Sequence, residues 1–315
     1  MLRKFQVTKA PDARSGLCID DARVAVANVQ RVEGQKSVLR ACAFRASAHD
    51  SDWRQRAESR IRDIDLRQAP LSAVMTNGTY HTLLVEVPNV PSQEVAAAVR
   101  WRVKDLIEYP LEDTVIEMLE MPQQASASNK PMAYAVATQR SSVQEQVDVA
   151  LHSKFLLDVI DIPELCIRNV AASLPQDGDG VAFLHFTEDS GILTITRAGV
   201  LYLIRRIELG RSAFGAAEHD EAATGDIVTR VALEVQRSLD YYESHYDRKP
   251  IGTLVIGPGA GLENLAAALN AQLGLAVSSL DLGDLFDMPT PISVEEQGNC
   301  LLAVGAAMRD EQVAA

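Results

Sequence analysis

The sequence predicts an α/β protein built from two lobes of similar make. Three features carry that prediction. A triplet of short strands opens each half of the chain, apolar strands then alternate with helical patterns, and a glycine-rich turn late in the chain joins a buried-type strand to a helix.

The first triplet reads as residues 17–19, 24–32 and 38–44. Val24, Val26, Ala27 and Val29 supply its apolar positions, and Asp20-Asp21 and Glu33-Gly34 supply the turns. The second reads as 181–186, 192–196 and 201–209, joined through Glu188-Asp189-Ser190-Gly191 and Ala198-Gly199. Two such openings suggest one lobe used twice. Behind the first, Trp53, Ala57, Ile61 and Ile64 recur at helical spacing after Asp50-Ser51-Asp52, leaving Arg54, Arg56, Arg60 and Arg62 to the outer face. In a chain this acidic, that row reads as a solvated helix face before it reads as a phosphate-binding patch.

A strand at 82–87 ends before Pro88. Ser92 is then placed as the cap of a helix with Val95, Val99, Val103 and Leu106 on its core face, stopped by Pro110. An apolar segment at 114–121, a polar loop at 123–130 and a strand at 132–138 follow. Ser141 with Gln144 reads as a capping box for a helix carrying Val143, Val147 and Leu151. A further helix spans 163–174. The longest helix carries Val228, Val231, Val235, Leu239, Tyr242 and Tyr246 at steps of three and four, which predicts a buried face. Thr253-Leu254-Val255-Ile256 is a short buried-type strand, followed by Gly257-Pro258-Gly259-Ala260-Gly261 and a helix with Leu262, Leu265, Leu269 and Leu273. A strand at 275–278 and a last helix at 300–308 close the chain. The expected division is a first lobe at 1–79 with 163–178, an inserted α+β subdomain at 80–162, and a second lobe at 179–315.

Of 315 residues, 47% are apolar and 23% charged, which is enough apolar material for two lobes of about 150 residues. Lys and Arg number 30 against 43 Asp and Glu, and the formal charge of −13 repels phosphate backbones and anionic headgroups. Nucleic acid and direct membrane insertion are therefore set aside as partners. Residues 1–12 lack a signal-peptide run, and no stretch approaches the roughly 18 apolar residues of a membrane span, so a cytosolic protein is expected. Cys18, Cys42, Cys166 and Cys300 lie far apart in apolar runs and read as buried free thiols. His49, His81, His152, His185, His219 and His245 include no pair at helical ligand spacing, so no metal site is expected. No Gly-x-Ser-x-Gly elbow occurs, and no catalytic residue is assigned.

The chemistry concentrates in the glycine-rich turn. A strand, a glycine-rich loop and a helix let backbone N–H groups face an anion or a flat ring without side-chain obstruction. The spacing is neither a P-loop nor a dinucleotide fingerprint, so a plain tight turn and a binding loop both remain open on these residues alone.

Two triplets, an inserted unit and a late glycine-rich turn together resemble the actin-like (ribonuclease H-like) ATPase superfamily in the arrangement of PilM-like pilus assembly proteins. Val87-Pro88-Asn89-Val90-Pro91 and the runs at 98–113 and 233–242 resemble, more narrowly, the MshI-type members that serve mannose-sensitive haemagglutinin (MSHA) pili. The chain is also similar to the cytoplasmic part of the type II secretion protein GspL. The resemblance implies a cytoplasmic adaptor, recruited to the inner membrane by docking on the cytoplasmic tail of a PilN-like pilus protein and working beside other pilus assembly components. It also implies ATP as the possible ligand, with Gly257, Gly259, Gly261, Asp20, Asp21, Ser190 and Gly191 as nucleotide-binding candidates.

Actin-like ATPases present Asp-x-Gly from a hairpin in each lobe, to orient magnesium and admit phosphates. Here the resemblance places Cys18 and His185 at the two Asp positions and Asp20 at a Gly position, while Phe186 and Thr187 follow His185. A weak or absent ATPase is expected, an ATP-driven conformational cycle being the alternative. Trp101, Ile107 and Tyr109 lie off or beyond the core stripe of their helix and are the partner-binding candidates. Packing of Trp101 and Tyr109 against the 114–121 segment is the other reading.

Overall fold

The computed structural model describes residues 5–6, 12–19, 23–46, 64–65, 69–124, 130–217, 219–246 and 248–309. Strands β1 (Phe5–Gln6) and β5 (Ile64–Asp65) pair in parallel. Ile64 was expected to end a helix and instead lies in this strand; the rest of the expected helix, including its arginines, lies outside the described residues.

The first large sheet contains β2 (Ala13–Ile19), β3 (Arg23–Gln30), β4 (Ser37–Ala46), β6 (Pro70–Val74), β10 (Leu156–Asp161) and β16 (Phe286–Asp287), in the order β10-β6-β2-β3-β4-β16. The second contains β11 (Val181–Phe186), β12 (Gly191–Arg197), β13 (Val200–Ile207), β14 (Thr253–Ile256) and β15 (Ala276–Ser279), in the order β13-β12-β11-β14-β15. In each sheet an antiparallel triplet leads into two parallel strands. β2 and β11 are therefore topologically equivalent, and both end beside the same space. β6 and β10 escape sequence detection because their short apolar runs carry no period of their own.

A third sheet, β7-β9-β8, is made by β7 (Tyr80–Glu86), β8 (Thr114–Glu120) and β9 (Met132–Gln139), covered by α1 (Ser92–Val103). Val99 and Val103 are fully buried there, with Val95 packed beside them. Leu106 departs from the expected stripe. After Val103 the chain tightens into a 3₁₀ turn, Lys104–Leu106, which changes the phase and leaves Leu106 exposed. Ser92 is the first helical residue, and the cap position falls to Pro91 instead. The expected Ser141–Gln144 box is also absent: α2 (Arg140–Ser153) starts one residue before Ser141, and Gln144 donates to Asp148 instead.

The centre of the molecule is a helical layer held between the two large sheets. α3 (Pro163–Ala171) packs on β11 and β12, and α8 (Val294–Ala307) packs across β2, β3, β4 and β6; the two helices contact each other. β11 is buried at all six positions because both of its faces are covered. Val181 and Phe183 face the α3–α8 layer. Ala182, Leu184 and Phe186 face the other way, against α4 (Arg211–Ala217), α5 (Glu221–His245) and α6 (Leu265–Leu273). On α5, Val228, Val231, Val235, Leu239 and Tyr242 form the buried face that the spacing predicts.

The short helix α7 (Leu282–Leu285), β16 and α8 follow the second sheet in the chain, yet β16 and α8 are built onto the first. α8 begins at Val294, earlier than expected, behind a Ser293–Glu296 capping box. It crosses α3 at Gly305, where a Cβ would stand 2.2 Å from the carbonyl oxygen of Cys166.

Two stability measurements check this packing. Gly305→Ala should lower stability by about 1–3 kcal/mol or more, because the added carbon meets backbone that can yield only by separating the helices; urea denaturation reads it. Leu239→Asp, which buries an unpaired carboxylate in the α5 face, should cost several kcal/mol and lower Tm sharply in a thermal melt.

Candidate functional site

A cleft of about 1010 Å³ opens at the carboxyl ends of the central strands of both large sheets. Cys18 ends its β2 wall, Met75-Thr76-Asn77 follow β6, Thr187 to Ser190 follow β11, and Ala260 follows β14. Ligands of open α/β sheets bind in such crevices, because strand ends and following turns converge there with their backbone groups exposed.

A buried ionic junction closes one side of the cleft. Glu164, fully buried near the start of α3, accepts from Tyr80 Oη at 2.7 Å and from Arg206 Nη2 and Nε at 2.8 and 3.1 Å. Arg206 also donates to Asn77 Oδ1 and lies over the Tyr80 ring at 4.7 Å. One carboxylate thus ties α3 to β7 and β13. Burial first, and the neighbouring carboxylate second, push the Tyr80 phenol well above its usual range, so it stays a donor.

At the inner end, Cys18 and His185 both turn toward α8 and line a recess of about 40 Å³ with Arg23, Thr187, Arg211 and Asn299. His185 is 2% exposed. Desolvation, with Arg211 and Arg23 nearby, depresses its pKa to about 3, so the imidazole is neutral at physiological pH. Its Nδ1 would stand 2.9 Å from a Cβ at position 257, so only glycine lets the loop pass. Arg211 reaches under the same loop: its Cδ would lie 3.1 Å from a Cβ at position 259, and Nη2 donates to Asn299 Oδ1 at 2.7 Å. Desolvation and Arg23 lower the pKa of Arg211. Glu188, half-exposed at the rim, lies 3.6 Å from Arg211 and 3.9 Å from Arg23.

The nucleotide-binding candidates separate in space. Gly257 touches His185, Gly259 touches Arg211, and Ser190 lines the cleft. Gly191 sits in β12 beneath the Phe186 ring and is not part of the cleft lining. Asp20 and Asp21 lie outside the described residues. Three backbone donors of these loops have partners inside the protein: Gly257 N–H donates to Leu184 O at 2.8 Å, Gly261 N–H to Glu263 at 3.2 Å, and Ser190 N–H to Thr187 Oγ1 at 3.3 Å. Among the described residues, no group of three or more His, Cys, Asp or Glu side chains could hold a metal.

Arg23, Glu188, Arg211 and Asn299 were not singled out from sequence. Single charged residues at strand ends and helix starts look like ordinary surface until the fold folds them inward. The one available signal was Gly210-Arg211 directly after the third strand of the second triplet.

The partner-binding candidates also divide. Trp101 is 68% exposed on α1 with Lys104 Nζ over its ring at 5.4 Å, and Leu106 is exposed beside it in sequence. Ile107 packs into the core beneath α1. Tyr109 is half-buried near the His81 ring, and burial raises its phenol pKa.

No family model matches the chain, and no curated protein matches it. Solved structures do. The PilM-PilN type IV pilus biogenesis complex contains a chain similar over 94% of this one and 97% of its own length, with 18% identity and a TM-score of 0.69. The cytoplasmic domain of EpsL, an inner membrane component of the type II secretion system of Vibrio cholerae, is similar over 95% of this chain and 96% of its own, with 12% identity and a TM-score of 0.50. A Bacteroides thetaiotaomicron protein with an actin-like ATPase fold covers 91% and 96%, with 8% identity and a TM-score of 0.51. Two matching α/β lobes around one helical layer, with a cleft at the strand ends and these structural neighbours, give the chain the actin-like ATPase fold.

Proposed function

We propose that this chain is a PilM-like adaptor of a type IV pilus assembly machine, cytoplasmic and held at the inner membrane by the cytoplasmic tail of a PilN-like protein. The observation that carries this reading is the near end-to-end likeness, in both directions, to a chain of the PilM-PilN complex. The phrases at 87–91, 98–113 and 233–242 favour the MSHA-type branch. No helix among the described residues is long and apolar enough to cross a membrane, which is compatible with recruitment through a partner.

In this reading residues 80–162 form the docking subdomain, and the adaptor works by presenting a shaped surface. Trp101 and Leu106 supply exposed apolar area on a rigid helix, the kind of anchor that dominates peptide contacts. Ile107 and Tyr109 support that surface from behind. Tyr134 and Glu164 couple the subdomain to both lobes, so a load on it is transmitted to the whole body.

The nucleotide site is degenerate in this reading. Cys18 and His185 stand where carboxylates would orient magnesium, and the N–H groups of Gly257, Gly261 and Ser190 are committed internally. His185 is neutral and buried, which makes it a poor counterpart for a hydrated divalent cation. A cleft of about 1010 Å³ keeps ATP binding without turnover as the second reading.

Two outcomes follow. ATP turnover by the purified protein should stay at background with and without Mg²⁺; magnesium-dependent hydrolysis that disappears in Gly259→Val would refute the degenerate site. Trp101→Ala should weaken binding of a PilN-like tail peptide by about tenfold or more, with Tm unchanged, because the ring is exposed. Undiminished peptide affinity would move the docking site off α1.

A further inference from the structure

We propose that the groove between β7 and β13 is a second docking site, which takes an extended peptide segment of a partner protein carrying an apolar side chain next to a carboxylate. This assignment goes beyond tail docking on α1, since it concerns the opposite face of the inserted sheet.

Placement comes first. Successive side chains of a strand point to opposite faces. On β7, Leu83 and Val85 pack beneath α1, whereas Thr82 and Leu84 line a groove of about 310 Å³ between the subdomain and the second lobe. Tyr134 of β9 completes that wall, and Leu203 and Arg205 of β13 with Tyr241 of α5 form the other. Both flanking strands are sheet edges, but they differ in one respect. The outward Ile204 N–H and Tyr202 carbonyl of β13 are taken by tyrosine hydroxyls, whereas among the described residues no strand pairs with the outer side of β7. An open edge beside a side-chain pocket is the arrangement by which extended peptides add to a sheet: backbone bonds give affinity and the pocket gives selection. The volume lies at the small end of the roughly 300–1,000 Å³ of ligand pockets. That is room for a side chain or two, and not for a helix about 10–12 Å across.

The lining decides which side chains are taken. Leu84 is 41% exposed at the groove. Tyr241 is a fixed platform, its ring stacked on His245 at 3.9 Å and its hydroxyl accepting from Gln124 at 3.3 Å. With Tyr134 and Leu203 these surfaces favour an apolar side chain. Charge selects its neighbour. The chain carries −13 overall, yet among the described residues the charged side chains lining this groove are two arginines, Arg205 and Arg206. Arg206 is engaged by Glu164. The Arg205 side chain is 37% exposed, and its ion pair with Glu234 is long, 3.8 Å, because Arg237 holds that carboxylate more closely at 2.7 Å. A ligand carboxylate can therefore take the Arg205 fork, whereas a lysine-rich segment is repelled. The same contacts give a role to both halves of the run at 233–242: Val235, Leu239 and Tyr242 fill the core, while Glu234 and Tyr241 serve the groove.

The test is selection of a displayed random heptapeptide library on the full chain, after which enriched peptides are synthesised with fluorescein and titrated by polarisation. The expected result is a consensus with an acidic residue beside an apolar one, and saturable one-to-one binding that weakens as salt is raised. Arg205→Gln should weaken it about tenfold or more, through loss of the charge-assisted bonds. Leu84→Asp should do the same by repelling the carboxylate; both side chains are partly exposed, and melting each variant checks that the fold is kept. Trp101→Ala should leave this binding unchanged, so the groove and the α1 site are read separately. No enrichment, a consensus without acidic residues, or unchanged affinity in both groove variants would overturn the site. Displacement of the labelled peptide by a PilN-like tail peptide would overturn it as a second site. Concentration-dependent dimerisation in sedimentation that Arg205→Gln abolishes would overturn it by giving the groove to a second copy of this chain.

Discussion

The joining of the two large sheets depends on how closely α3 and α8 cross. At Gly305 the α8 backbone runs against the Cys166 carbonyl, and two residues earlier in the same helix the Ala303 carbonyl fills the place a Cβ at Gly16 would take in β2. Small residues at these crossings remove the side-chain spacing that normally separates a helix from its neighbours. As a result one helical layer touches both large sheets, and a single core cluster joins Ala27 and Val29 of the first sheet to Val181 and Phe183 of the second through Ile167, Leu301 and Val304. The lobes are therefore two faces of one core. The strand ends of β2 and β11 arrive at the same place, which is what creates a cleft.

Polar contacts then decide the angle at which the inserted subdomain meets that core. Glu164 is satisfied by donors from two other sheets, so its burial is bearable only with Tyr80 and Arg206 both in position. Tyrosines finish the work at β13, the free edge of the second sheet. Tyr134 Oη accepts from Ile204 N–H at 3.0 Å, and Tyr246 Oη donates to Tyr202 O at 3.0 Å. Burial lifts the Tyr134 phenol to about 12, so the hydroxyl keeps its proton at any physiological pH. An edge that could recruit a foreign strand is capped by side chains from within.

The position of the cleft and the chemistry at its inner end are set by different parts of the molecule. Its position at the strand ends follows from the fold, but the groups projecting into its inner end are a thiol, a neutral imidazole and two guanidiniums. Positive charge fixed in the protein does not respond to a metal, and it cannot position a water for in-line attack as a carboxylate can.

Much of the architecture was legible in local patterns. The two strand triplets, the buried stripe from Val228 to Tyr242 and the turn from Gly257 to Gly261 each follow from periodicity and turn chemistry, which act over a few residues. The sequence by itself thus determined the fold class and the two strand triplets that open the halves of the chain. Tertiary structure alone decided that β16 and α8, which come after the second sheet, belong to the first, since strand pairing between residues hundreds of positions apart leaves no period to read. It also decided that Arg211 and Arg23 meet around His185, that Glu164 is a buried junction, and that Trp101 stays in the open while Ile107 turns inward. Whether a charged or aromatic side chain is surface or site depends on what non-local packing brings against it, and that information resides in the assembled core.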